Sequence, residues 1–291
     1  MKEFLKNKSM ENRFLQKIWL RGVYFKYHRR LLSFRNPKTF TEKMQWAKVY
    51  SDLENLASYV DKYEVRQYVK DTIGEQYLIP SLGVYSNAED IDFNSLPSSF
   101  VIKAVHSAGQ NLIIPNKKEI DFEKTRNEVD QWLKSNYYKI TGEKNYKHII
   151  PRLVIEEYIK EETGGLKDYK FYCFKGKPSF IQVISNREHN QTIDYFDLKW
   201  NNLNIRSKMY QNSMKAISRP SNLEEMVKVA KLLSAKFSFV RVDLYSVRNK
   251  IYFGELTFTP ANGLRPYESL KHDIWIGSFI EKEDLRSFIL K

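Results

Sequence analysis

Apolar and polar positions alternate with the two-residue period of a β-strand along Phe239-Val240-Arg241-Val242-Asp243-Leu244-Tyr245, and again along Lys250-Ile251-Tyr252-Phe253-Gly254-Glu255-Leu256-Thr257-Phe258-Thr259-Pro260. Arg248-Asn249 separates the two runs, so the segment predicts a β-hairpin. Further strand-like runs occupy residues 77–80, 82–85, 98–105, 111–114, 153–159, 169–174 and 179–184, with Lys175-Gly176 as a second hairpin turn. Helical spacing covers about 10–32, 61–69 ending at Gly74, 122–138, 222–235 and 278–289. Thr39-Phe40-Thr41-Glu42 has the form of a capping box and starts another helix. Strands and helices in this order predict an α+β protein with mixed or antiparallel sheets.

At 291 residues, with no repeat or low-complexity tract, the chain is long enough for one large or two modest domains. It holds no apolar run of about 18 residues and so no spanning helix. The N-terminus lacks the compact apolar core of a signal peptide, which makes the cytoplasm the expected location. The single cysteine, Cys173, lies in an apolar run and is expected to be buried and inert.

Charge changes the picture more. Forty-eight Lys and Arg stand against 35 Asp and Glu, a net +13 that implies an acidic partner. Residues 1–35 concentrate the excess, and Phe14, Leu15, Ile18, Trp19, Val23 and Phe25 give that arm an apolar side. A basic amphipathic helix of this kind suits an anionic membrane or a polyanion, or else docks on its own domain with a solvated basic face. Nucleic acid is the weaker candidate, because no zinc-finger spacing or RNP-type strand accompanies the charge.

The hairpin carries the candidate chemistry. Side chains two apart share a face, which aligns Arg241 with Asp243 and Glu255 with Thr257. Buried carboxylates need compensation, and facing hard oxygens suit Mg²⁺ bridging phosphates. An Arg–Asp ion pair on a half-exposed sheet is the plainer reading. Lys103 leaves an apolar strand just before the small-residue loop His106-Ser107-Ala108-Gly109-Gln110-Asn111, a place to hold phosphate oxygens. Many strands carry an outward Lys. Leu153-Val154-Ile155-Glu156-Glu157-Tyr158-Ile159 offers a backbone edge for adenine and a carboxylate for ribose. Asp168-Tyr169-Lys170 puts Lys170 within reach of a terminal phosphate, and Asp61-Lys62 opens a helix, where dipole and lysine both favour anions. The five histidines show no paired metal spacing.

In this order, these segments resemble the ATP-grasp superfamily and, within it, the TupA-like branch of capsular polysaccharide and teichuronopeptide biosynthesis. The resemblance rests on Asn36-Pro37-Lys38-Thr39-Phe40-Thr41-Glu42-Lys43, Asp61-Lys62-Tyr63-Glu64-Val65-Arg66, Asp168-Tyr169-Lys170-Phe171-Tyr172-Cys173-Phe174 and Gly254-Glu255-Leu256-Thr257-Phe258-Thr259-Pro260. It covers about residues 36–280. It implies two α+β subdomains gripping ATP, with a basic helical arm at 1–35, a leading region at 36–96, a small subdomain at 97–160 and a large one at 161–291. Position by position, it implies Lys62 and Lys103 as phosphate lysines and a mobile loop carrying His106, Ser107 and Gly109. It also implies an adenine hinge over Glu156, Glu157, Tyr158 and Ile159, a ribose or hinge contact at Asp168, and a γ-phosphate contact at Lys170. Asp243 and Glu255 would ligate Mg²⁺, and Arg241 would meet charge at an acyl centre. The superfamily commonly has Asn two residues after the glutamate. This chain has Thr257 there, so Thr257 or Asn262 completes the metal set. The implied activity is an ATP-dependent carboxylate–amine ligase joining an amino acid or other amine to a uronic-acid-type carboxylate. A sugar or glycan kinase, a glycan-assembly transferase and a non-catalytic polyanion-binding protein remain open at this point.

Overall fold

Two antiparallel sheets take up the alternating segments. The structure, a computed structural model, describes residues 12–161, 165–187 and 190–290. The N-terminal part forms α1 (Arg13–His28), α2 (Phe40–Tyr50), α3 (Ala57–Val60) and α4 (Val65–Ile73). Then come β1 (Ser81–Tyr85), β2 (Phe100–Ala104), β3 (Asn111–Ile114), α5 (Phe122–Leu133), α6 (Tyr137–Thr141) and β4 (Leu153–Glu157). The second half forms β5 (Asp168–Phe174), β6 (Lys177–Ser185), β7 (Thr192–Asp197), α7 (Leu223–Ser234), β8 (Phe239–Val247), β9 (Lys250–Thr257) and α8 (Leu270–Gly277). The small sheet runs β1-β4-β2-β3 and the large one β7-β6-β5-β8-β9, which bears out the α+β expectation. The small sheet takes in β1, a strand from the 36–96 stretch.

Turn chemistry sets both registers. Arg248 and Asn249 lie at φ 48° and 66°, and Lys175 and Gly176 at 49° and 71°. These paired left-handed turns match the twist of the strands that they join. The first turn aligns Asp243 with Glu255 and Arg241 with Thr257; the second aligns Lys170 with Gln182. Because β5 also pairs with β8, Lys170 lies opposite Asp243. The charged side chains thus meet on one face of the large sheet.

The large sheet shares its core with the N-terminal helices. The capping box forms: Glu42 N–H donates to Thr39 Oγ1 (3.2 Å), and Thr39 N–H donates to Glu42 Oε2 (3.0 Å). Such caps contribute about 1 kcal/mol. The helix that they start, α2, is buried from Phe40 to Val49, and the Phe40 ring meets Tyr172, Phe174 and Phe239 edge-on. A separate apolar cluster, with Phe93, Phe100, Ile102, Val129 and Ile155, lies between the small sheet and α5. Cys173 is buried, and burial pushes its thiol up to about 12, so it is inert.

Four segments depart from the pattern. Residues 77–80 make a 3-10 turn and an extended link, not a strand. The helix expected over 122–138 breaks at Lys134–Asn136, where the Asn136 side chain accepts from Lys139 N–H (3.0 Å) and caps α6. The helix expected over 10–32 spans Arg13–His28, between the Asn12 cap and left-handed Arg29; its expected first residues lie outside the described ones. The final helix expected over 278–289 is replaced by α8, earlier in the chain and capped by Ser269. Residues 288–290 run extended along 236–238, with Ser238 N–H to Phe288 O and Leu290 N–H to Lys236 O both at 2.8 Å. These backbone bonds hold the apolar residues in an edge that their spacing alone makes look helical.

Candidate active site

Arg241 organises the charged face. It is 7% exposed; its Nε donates to Asp243 Oδ1 (2.6 Å), and its Nη2 donates to Asp243 Oδ2 (2.7 Å), Glu255 Oε1 (2.8 Å) and Thr257 Oγ1 (2.9 Å). Lys170 pairs with Asp243 and, at 2.7 Å, with Asp168. Arg187 closes the chain of charges on Asp168. Ions removed from water are stable only in such alternation, and each carboxylate here touches at least one cation.

Environment separates the two facing carboxylates. Burial pushes Asp243 up to about 6 against the opposing pull of Arg241 and Lys170. Burial also works to raise Glu255, but Lys170, Arg241 and Lys62 outweigh it and hold that carboxyl well below its ordinary range. Glu255 remains charged and its side chain is 37% exposed, whereas Asp243 is shut inside. Thr257 Oγ1 donates to Glu255 Oε1 (2.9 Å), so the two partners expected from the sequence touch.

Of the three expected Mg²⁺ ligands, hard donors on adjacent strands, Glu255 alone offers a free oxygen: its Oε2 has no partner among the described residues, whereas both Asp243 oxygens are held by Arg241 and Lys170 and Thr257 Oγ1 bridges Arg241 and Glu255, so those two would join a Mg²⁺ shell by exchanging these partners. No group of three His, Cys, Asp or Glu residues forms a metal cage among the described residues, so phosphate and water oxygens would complete the shell, as Mg²⁺ commonly requires. Asn262 does not join this set. Its carbonyl accepts from Gln45 Nε2 (2.7 Å) and Lys48 Nζ (2.8 Å), and Lys48 also takes its side-chain oxygen.

A cleft of about 660 Å³ separates the sheets. Val101, Lys103, Ile113 and Glu157 line it from the small sheet, Tyr245 from the large one, Arg187 from just beyond β6, and Tyr158 and Ile159 from the segment that follows β4. Lys62 donates to Ala104 O (2.7 Å) and to Ser107 O, which fixes the start of the loop after β2. Burial brings Lys62 down to about 8 while the negative charge of Glu255 works to raise it.

Other expected residues have different roles. Glu156 is buried and accepts from Arg66 Nη1 (3.1 Å) and Lys103; it anchors Lys103 and leaves the cleft lining to Glu157–Ile159. The His106 ring bonds Trp132 O (2.9 Å), so burial packs it against α5 rather than over the cleft. Ser107 is also buried. Gly109, at φ 84° with nothing within 4 Å of a Cβ position, is the open point of this loop. Asp168 is set by Lys170 and by Arg187, so it lies behind the cleft lining that Arg187 and Tyr245, the cross-strand neighbour of Asp168, help to form, and its Oδ1 is buried without a partner.

Sequence reasoning missed Arg66, Arg187, Lys48 and Glu143. Lys48 is fully buried and brought down to about 8 by burial, with Glu143 opposing; burial raises Glu143, which accepts from Thr259 Oγ1. Lys48 through Asn262 and Glu143 through Thr259 hold the turn after β9. A lysine within α2, a helix without a polar face, was the one available signal.

The sequence matches the model of the TupA-like ATP-grasp family over residues 42–281. Among solved structures, D-alanine–D-alanine ligase from Bacillus anthracis is 17% identical, with a TM-score of 0.48, 81% of this chain covered and 72% of that chain. The ATP-grasp ligase PsnB with minimal precursor, Mg and ADP is 12% identical, with a TM-score of 0.40, covering 75% of this chain and 58% of that one. The ADP complex of purK, N5-carboxyaminoimidazole ribonucleotide synthetase, is 11% identical, with a TM-score of 0.42, covering 74% and 47%. No curated protein matches the sequence.

Proposed function

The chain belongs to the TupA-like ATP-grasp family, and on that premise we propose that it is an ATP-dependent ligase joining a carboxylate to an amine. The observation that carries this reading is the buried Arg241–Asp243–Glu255–Thr257 cluster on the large sheet, on the far side of an inter-sheet cleft from Lys103. Adenine would lie along Glu157–Ile159 beside the apolar side chains of Val101 and Ile113, with Lys103 in the cleft lining facing the phosphates and Lys62, now on the carbonyls of Ala104 and Ser107, at the start of the adjoining loop. Lys170 meets the γ-phosphate by exchanging one of its carboxylate partners for it. Asp243, Glu255 and Thr257 would hold Mg²⁺, which when bound neutralises phosphate charge. Arg241 fixes these three ligands and presents its charge to the acyl centre.

The reaction then needs positioning more than covalent help. A substrate carboxylate oxygen attacks the γ-phosphorus and ADP leaves, giving an acyl phosphate. The amine nitrogen attacks the acyl carbon and loses a proton, and phosphate departs with one former carboxylate oxygen. We assign the carboxylate to a uronic-acid-type unit of a surface-polysaccharide precursor and the amine to an amino acid. The TupA-like family and the net charge of +13 support an acidic substrate. We place the reaction in the cytoplasm, where ATP is abundant; no helix among the described residues is long and apolar enough to cross a membrane.

The test is a screen of uronic acids against amino acids with Mg-ATP. Phosphate release that requires both partners is the expected result. Phosphate transfer to a sugar without an amine would establish a kinase, and thermal stabilisation by nucleotide sugars alone would establish a transferase.

A further inference from the structure

Helix α1 buries one face and leaves the other uncovered. Gln16, Leu20 and Tyr24, spaced one turn apart, face α2; Tyr24 OH meets Thr41 Oγ1 at 2.9 Å and Gln16 Nε2 donates to Lys48 O at 3.4 Å. On the far side Phe14 is 69% exposed, Ile18 51% and Phe25 47%, and Leu31, just beyond the helix, is 81% exposed. At 3.6 residues per turn, positions 14, 18 and 25 fall within about 40° of one another, so they form one apolar stripe. Cations border it. Arg13 and Lys17 lie over the Tyr50 ring and Arg21 over Phe34 on one flank, and Lys26 projects on the other. The helix contains no Asp or Glu, and none of these four cations has an ion-pair partner among the described residues.

We propose that this face of α1 docks the enzyme on an anionic lipid bilayer, with the apolar stripe among the acyl chains and the flanking cations at the headgroups. A helix with an apolar strip between basic flanks lies in the interface plane, and each Lys or Arg at an anionic surface strengthens the attachment. The charge pattern decides among occupants. A second copy meeting this face through a two-fold axis would bring like charges together with no Asp or Glu in either helix to offset them. A soluble polyanion would use the cations and leave Phe14, Ile18 and Phe25 in water. The inference is independent of the reaction assigned above, because none of these residues touches the cleft.

The test is sedimentation of the full chain with vesicles of phosphatidylcholine, alone or mixed equally with phosphatidylglycerol. Binding to the mixed vesicles only, weakening as salt rises, is expected. The Phe14→Ser/Ile18→Ser/Phe25→Ser variant should lose about tenfold or more in vesicle affinity with unchanged circular dichroism and thermal midpoint. Lys17→Ala/Arg21→Ala/Lys26→Ala should weaken binding and flatten its salt dependence. Equal binding to neutral vesicles, or none to either, overturns the proposal. So does a dimer that the triple Ser variant abolishes, or retention of heparin binding by that variant with no vesicle binding by the native chain.

Discussion

Arg241→Met replaces a buried guanidinium with a neutral side chain of similar length. The substitution removes both bonds to Asp243, at 2.6 and 2.7 Å, and those to Glu255 and Thr257, at 2.8 and 2.9 Å. Asp243, at 1% exposure, then keeps only Lys170 as a cationic partner. Leaving one member of a buried ion pair uncompensated costs about 3–5 kcal/mol, and that is the expected loss from urea unfolding midpoints at pH 8. The double variant Arg241→Met/Asp243→Asn removes the stranded charge together with its partner. It should recover on the order of 2 kcal/mol of that loss while remaining inactive. The pH dependence has a definite sign. Asp243 in the native protein sits at about 6, above the ordinary carboxyl value of 3.8, so its contribution to stability is fully present below about 4 and is lost as pH rises through 6. Without Arg241 this carboxyl shifts further up, so the variant's deficit should shrink between pH 8 and pH 5. A deficit under 1 kcal/mol, or one independent of pH, or strict additivity in the double variant, would refute the claim that Arg241 neutralises Asp243.

Three further outcomes follow from the same geometry. Glu255→Gln should abolish Mg-ATP turnover with the thermal midpoint nearly unchanged, because it removes the charge of a partly exposed carboxylate proposed to ligate Mg²⁺; turnover within tenfold of native would refute that role. Burial brings Lys62 to about 8, so calorimetric ATP affinity should fall as pH rises past 8, and Lys62→Met should lower affinity at pH 7 and erase that limb. Gly277→Ala places a Cβ 2.6 Å from Lys38 O and 2.7 Å from Phe40 N, so α8 must shift from α2 at a cost of about 1–3 kcal/mol, read as a lowered denaturation midpoint.

Local rules made the centre of this molecule legible. Two-residue periodicity placed Arg241 with Asp243 and Glu255 with Thr257, and the Arg248-Asn249 turn set the register that brings the pairs together. The Thr39–Glu42 box likewise needed only four adjacent residues. Partners distant in sequence were not legible. Glu143 lies 95 residues from Lys48 and Arg187 nineteen from Asp168, so neither pairing leaves a local signature. Glu156 reads as a ligand contact until Arg66 and Lys103 are seen to occupy its two oxygens. The C-terminal residues misled for a related reason: backbone bonds to residues 236–238 override a spacing that suits a helix. The basic arm carried three readings in its sequence, a docked helix, a membrane-binding face and a polyanion-binding one, and the structure shows the docked face while leaving an apolar one outward.

The central claim is that the Arg241 cluster serves acyl-phosphate chemistry, and isotope transfer tests it most directly. With both oxygens of the substrate carboxylate labelled as ¹⁸O, one label should appear in inorganic phosphate for each amide formed, measured by mass spectrometry of the released phosphate. Unlabelled phosphate during productive amide formation would contradict the account.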